Sequence, residues 1–219
     1  MSVLLSLAAS LLWGTADFLG GRASQRLPLL AVMLFSQGAG LLGLSLVLLF
    51  RGYADLGAAG WGVAAGVTSL GSLARFYRAL AVGTMSIVPP IVATSAVVAV
   101  IAGFIMGERP RPAVLGGIVL ALFGVVLASR QPTHAPQADH RRSIILAIAA
   151  AGLLGLQLIF LQRAGHIDAF TGVAASRLTS VACFAVIALF LRPPIRLRQL
   201  PGVAVIGVLD TAANLSFTL

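Results

Sequence analysis

Charge is what this sequence has least of. Only 10% of its 219 residues are charged, against 59% hydrophobic, and a soluble domain of this length carries near a quarter. Lysine is absent, so all 15 basic residues are arginine, set against six acidic ones. The one cysteine, Cys183, rules out an intrachain disulfide and leaves the redox compartment open. No polar run is longer than a tight turn except Arg130 to Arg142. The three histidines, His134, His140 and His166, fall in expected turns without ligand spacing, so neither a metal nor another cofactor is expected. Motifs of an intramembrane enzyme are also missing: there is no Gly-x-Ser-x-Gly elbow, no paired-aspartate motif and no His-Glu-x-x-His.

What remains is hydrophobic sequence in blocks of membrane-spanning length, and the mean hydropathy is +1.02. An ionised side chain in hydrocarbon costs several kcal/mol, so charge is cleared from such blocks. Eight spans are predicted: 2–20, 28–50, 58–80, 84–106, 112–129, 143–162, 168–191 and one from 201 still running at 219. About 20 residues at 1.5 Å each cross a bilayer core of ~30 Å. The spans are apolar on all sides and lack the alternation of a barrel strand, so the expected fold is an all-α polytopic membrane protein. Met1-Ser2-Val3 has no basic n-region and Asp17 stands where a cleavage site would be, so the first span reads as a retained helix. Gly62 with Gly66, and Gly103 with Gly107, have the spacing that lets helices approach closely.

A formal charge of +9 would suggest nucleic acid in a soluble protein. Here the arginines are scattered over turns and helix ends with no aromatic platform. They read as membrane-flank anchors, and the lipid bilayer, not nucleic acid, is the expected partner.

The chain also repeats itself. Sliding the part after the linker onto the N-terminus by roughly 141 residues brings features together without gaps. Gly14 meets Gly155, Arg22-Ala23 meets Arg163-Ala164, and Arg51 meets Arg192. Gly66-Val67 meets Gly207-Val208, and Phe76 meets Phe217. The implied division is a first five-helix repeat at 1–130, a polar linker at 131–142 and a second repeat at 143–219 with three of its five helices. Five spans per unit make the second insert upside down, and inverted repeats mark secondary transporters with a site near mid-membrane. The eighth span is still apolar at Leu219, which leads to the expectation of a ten-helix protein truncated by two helices.

Specific residues now carry a resemblance. Trp13-Gly14 lies in the first span. Arg78-Ala79-Leu80, Pro89, Gly107-Glu108-Arg109-Pro110, Gly116-Gly117 and Gly124 follow from the third to the fifth. The pattern resembles an EamA-type member of the drug/metabolite transporter superfamily. The resemblance implies ten helices in two inverted five-helix repeats, and proton-linked or facilitated movement of small metabolites, often amino acids. One departure stands out: where the family often has an arginine in the second helix this chain has Ser36-Gln37, while the corresponding place in the seventh helix has Arg177.

Polar residues inside spans are the candidates for a substrate or proton pathway: Trp13, Asp17, Gln37, Arg75, Tyr77, Pro89, Gln157, Arg177, Asp210 and Asn214. Gly14, Gly107 and Glu108 read as structural. Asp17 shares a small-residue face with Ser10, Gly14 and Gly21; the other reading pairs it with Arg22 or Arg26 near the interface. Asp210 belongs to a stripe of Gly207, Asp210, Thr211, Asn214 and Thr218, suited to lining a cavity or to bonding neighbouring helices. Arg75 shares a face with Thr68 and Ser72, and either holds a substrate carboxylate or snorkels to the interface. Arg177 pairs with Asp17 or Asp210, or binds an anionic substrate. Gln37 and Gln157 suit helix-to-helix hydrogen bonds. Pro89-Pro90 marks a hinge or a helix start. Glu108 fits the amide end of the fifth span and can pair with Arg109 or Arg111.

The reading that results is a secondary transporter, an exporter of small polar metabolites such as amino acids in the plasma membrane, with protons as a possible coupling partner. A drug efflux carrier and a non-transporting assembly subunit are the alternatives. Orientation stays open, because the arginine count places the N-terminus outside and the resemblance places it inside.

Overall fold

The computed structural model describes residues 2–24, 26–82, 87–105, 107, 112–128, 140–191 and 200–219. Glu108 and linker residues 131–139 lie outside them. Every regular element among the described residues is an α-helix: α1 (Ser2–Ser24), α2 (Leu29–Arg51), α3 (Leu56–Val82), α4 (Val88–Ala93), α5 (Ser95–Ile105), α6 (Pro112–Ala128), α7 (His140–Leu191) and α8 (Leu200–Thr218). The chain is an all-α polytopic membrane protein.

The predicted spans map onto these helices with two differences. The fourth span is two helices, not one. Pro89 and Pro90 occupy the first turn of α4, where a missing N–H costs nothing. They start the helix, and the break comes at Thr94. There the Thr94 hydroxyl donates to the Ile91 carbonyl at 2.6 Å and its amide donates to the same oxygen at 3.1 Å. The sixth and seventh spans are joined without a coil between them. α7 leaves helical geometry only at Asp168, whose backbone is extended (φ −154°, ψ 105°). The chain turns sharply there, since Gly172 is seated on Ala164.

The chain divides into two compact units, 1–67 with 160–219, and 68–159. In the first, α1 and α2 both pack on α8, and one core joins Leu44, Ala65, Leu161, Val173 and Ala174. A smaller core of Leu27, Val32 and Val203 lies at the start of α2. In the second unit Ala79, Val88 and Ala147 form the core. The Ser72 and Ser143 hydroxyls there donate across to the Ala150 and Ala79 carbonyls at 2.8 and 3.1 Å.

Both units turn small residues inward and large apolar ones outward. Ala58, Ala65, Ala79, Ala147 and Ala150 are fully buried, whereas Leu49 and Phe50 are 78% and 86% exposed. Lipid solvates leucine as well as a core does, so helices associate by close backbone packing. The glycines make that approach possible. A Cβ on Gly66 would sit 2.7 Å from the Thr179 Cβ and 2.8 Å from the Ser176 carbonyl oxygen, and Gly62 is equally tight against Gly172 and Ala175. On α8, Gly207 lies against the Ser36 backbone, its Cβ position 2.6 Å from the carbonyl carbon. Gly14, by contrast, faces open space.

These contacts echo one another at the sequence offset of roughly 141. Gly66 meets Ser176 while Gly207 meets Ser36. Gly20 meets Ile206 while their counterparts Leu161 and Ala65 share a core.

Gly207→Ala is expected to destabilise the protein by about 1–3 kcal/mol through overpacking against Ser36. Gly38→Ala, where a Cβ meets nothing, is the control and should leave stability unchanged or raised. Thermal unfolding of both variants in detergent checks this.

Candidate functional site

Three helices of the first unit bring one charged cluster together. α7 carries Arg177, between two and three turns beyond the break; α8 carries Asp210 and Asn214; α2 carries Gln37. Arg177 is only 6% exposed. Its Nη1 donates to the Asp210 carboxylate at 2.6 Å and also to the Gln37 side-chain oxygen. Both bonds leave from one nitrogen, so neither engages the guanidinium edge formed by Nε and Nη2. Asn214 Nδ2 donates to the Asp210 carbonyl at 2.6 Å and to its carboxylate at 3.2 Å. It thereby holds the acid one turn away on its own helix.

The sequence left two partners open for Arg177, and the structure selects Asp210. Asp17 makes no ion pair with Arg22 or Arg26 among the described residues. It lies on the exposed flank of α1, within electrostatic reach of Asp210. Trp13, one turn earlier, packs at a tilt against Phe217 of α8 with centroids 5.5 Å apart. The predicted stripe on α8 serves two neighbours. Gly207 and Thr211 face Ser36 and Gly40 of α2, while Asp210 and Asn214 face Arg177. The Thr211 hydroxyl is buried without a hydrogen-bond partner, being lodged against Gly40.

Arg75, Tyr77, Pro89 and Gln157 belong to the second unit. Arg75 is exposed and donates to the Gly71 carbonyl of its own helix at 3.0 Å. The side-chain oxygen of Gln157 is buried without a partner. The side chains of Tyr77 and Pro89 lie outside the described parts. Gly107 closes α5 with φ +89°, a left-handed turn that favours glycine.

A second polar cluster was not singled out from the sequence. Arg51, the last residue of α2, donates to both carboxylate oxygens of Asp168 at 2.9 and 3.3 Å, and its guanidinium lies 4.7 Å from the centre of the Phe170 ring. Asp168 also accepts from the Thr171 amide and hydroxyl, capping the second arm of α7. The Thr171 hydroxyl meets the Asp55 amide at 3.3 Å. Asp55 caps α3 through the Ala58 amide at 2.9 Å and accepts from the Tyr53 hydroxyl at 2.9 Å. The signal was present as an aspartate just before each apolar run, the mark of a helix N-cap. The Arg51 partner was not legible, because it lies 117 residues away.

With this geometry in place, similarity to known proteins can be weighed. The sequence profile of the EamA-like transporter family matches residues 1–130. The chain belongs to that family. It is therefore an integral membrane protein of a transporter family, as its motifs implied, with a small-molecule substrate and lipid around it. A solved structure described only as "Crystal structure of protein" superposes on 99% of this EamA-like chain and 79% of its own, with a TM-score of 0.76 and 19% identity. That likeness concerns the fold alone. No curated protein matches the sequence.

Asp210→Asn or Arg177→Gln is expected to lower stability by up to about 3 kcal/mol, since each leaves one buried charge unpaired and Asp210 is partly exposed. The double variant should be less damaged than either single one, which unfolding in detergent will measure.

The Asp55 carboxyl is held below its ordinary value of 3.8, first by the Ala58 amide and then by the Tyr53 hydroxyl. A depressed carboxyl contributes stability above its unfolded value and loses it as pH falls through the folded one. Melting temperature measured below pH ~4 should therefore fall further in wild type than in Asp55→Asn.

Proposed function

We propose that this EamA-like protein is a proton-coupled secondary carrier that exports small zwitterionic metabolites such as amino acids across the plasma membrane. The observation that carries the reading is the Arg177 guanidinium, buried and bonded to Asp210 and Gln37 through one nitrogen. Its remaining edge is the donor fork that a substrate carboxylate accepts in bidentate fashion. Asp210 and Asp17 supply two carboxylates against one arginine, so the site carries spare negative charge for a substrate ammonium or a proton. Trp13 and Phe217 pack against each other between α1 and α8, the helices that carry the two acids. Asn214 and Gln37 orient the ion pair.

Coupling follows from the same charges. A proton on Asp210 removes the negative charge that holds a substrate ammonium, so proton and substrate exclude one another at the site. Substrate leaving and proton returning then alternate at one site, and a proton running inward drives export. Arg75, Tyr77, Pro89 and Gln157 of the second unit are proposed as further substrate or proton pathway residues, Gln157 offering an unpartnered acceptor. The repeats at 1–130 and 143–219 are proposed to be the two inverted halves, and the contacts that recur at the repeat offset support that division.

Flux of radiolabelled amino acids through the full chain in proteoliposomes, under an imposed pH gradient, tests this. Asp210→Asn should reduce gradient-driven flux at least 10-fold, and Arg177→Gln should abolish it. Flux that is unchanged in Asp210→Asn removes proton coupling from that residue. Saturable flux of apolar cations, with none of amino acids, would favour drug efflux.

A further inference from the structure

The two ends of α2 are fastened by different chemistry. At its start, Leu27 and Val32 pack on Val203 in an apolar core. Its last residue, Arg51, is held by Asp168. Twenty-odd helical residues separate these ends by ~33 Å, so they lie near opposite faces of a bilayer. Between them α2 is pinned to α8 where Gly40 meets Thr211 and Ser36 meets Gly207.

We propose that the Arg51–Asp168 pair is a latch that closes one end of this carrier, and that its rupture frees the α2–α3 turn from the break in α7. The proposal rests on the carrier reading above. Three observations point to a latch. The acid partner is the one residue of α7 outside helical geometry, so it sits where that helix can bend without losing further helical hydrogen bonds. The pair is lopsided in exposure: the Arg51 side chain is 36% exposed and that of Asp168 only 7%. Water reaches the guanidinium, and a pair wetted on one side is weak enough to break in thermal motion. Finally, the pair is tied to both moving parts. Asp168 caps the second arm of α7, and Thr171 reaches the Asp55 amide in the α2–α3 turn.

The repeat sharpens the contrast. The position matching Asp168 at the repeat offset is Leu27, which carries no charge. One end of α2 closes by ion pairing and the other by apolar contact, so the two ends respond differently to loss of charge. Within its own cluster Arg51 also rests on Phe170, which guides it back to the closed position.

The test uses the full chain in nanodiscs with Cys183→Ser, and spin labels on Ala54→Cys and Ile167→Cys, both at exposed positions on either side of the latch. Pulsed dipolar spectroscopy reads the distance between them. Arg51→Gln removes the cation. Asp168→Asn removes the charge and keeps an N-cap residue. Both should enlarge a long-distance population by roughly 2- to 5-fold, and Arg51→Lys should suppress it. Distributions identical to wild type in both variants overturn the latch. A change in Asp168→Asn alone also overturns it, because the cap and not the ion pair would then be responsible. The distances are independent of flux. A latch that responds in a protein that moves no substrate counts against the carrier reading and leaves the latch standing.

Discussion

A guanidinium inside hydrocarbon must find its counter-charge within the protein, and the first unit is arranged around that need. Burying the Arg177 guanidinium calls for acceptors on the helices beside it. Asp210 supplies the charge from α8 and Gln37 a neutral oxygen from α2. Those bonds demand short distances between helices, and the glycines supply them. Gly207 lies against Ser36, one residue before Gln37, and Gly66 lies against Ser176, one residue before Arg177. Packing and electrostatics therefore meet at the same level of the bundle. A larger side chain at either glycine would pull the ion pair apart as well as strain the backbone.

The same economy governs the end of α2. Asp168 satisfies the Thr171 amide at a helix start, the Thr171 hydroxyl and the Arg51 guanidinium with one carboxylate. Asp55 does the equivalent for α3. Helix starts leave amides without partners, and in a bilayer protein the caps sit at the interface where water and charge are both at hand. Fold, capping and the contacts between helices are thus made by the same few acids. This is why a chain with six acidic residues uses several of them twice.

Much of this architecture is legible in the amino-acid order. Clearing charge from runs of about 20 residues is a strong signal, because each exception costs several kcal/mol. Span boundaries followed from it, and the glycine pair at 62 and 66 was recognisable by spacing. The fourth span was harder. Pro89 and Pro90 suggested a hinge or a helix start and prove to be the start, while the break falls at Thr94 through a hydroxyl bond that hydropathy does not register. Arg75 was legible as a residue for substrate or for the interface, and its bond to the Gly71 carbonyl of its own helix was not.

The sequence by itself determined that this is a helical membrane protein, and which few polar residues it keeps within its spans. Those features depend on transfer of each segment from water to lipid, which is a property of the segment alone. Only the tertiary structure decided that Arg177 takes Asp210 and not Asp17, that Gln37 joins them, and that Arg51 reaches Asp168. Each of these depends on which helix faces which across more than 30 residues of chain. That is settled by where small residues let backbones approach, and no local pattern of hydrophobicity encodes it.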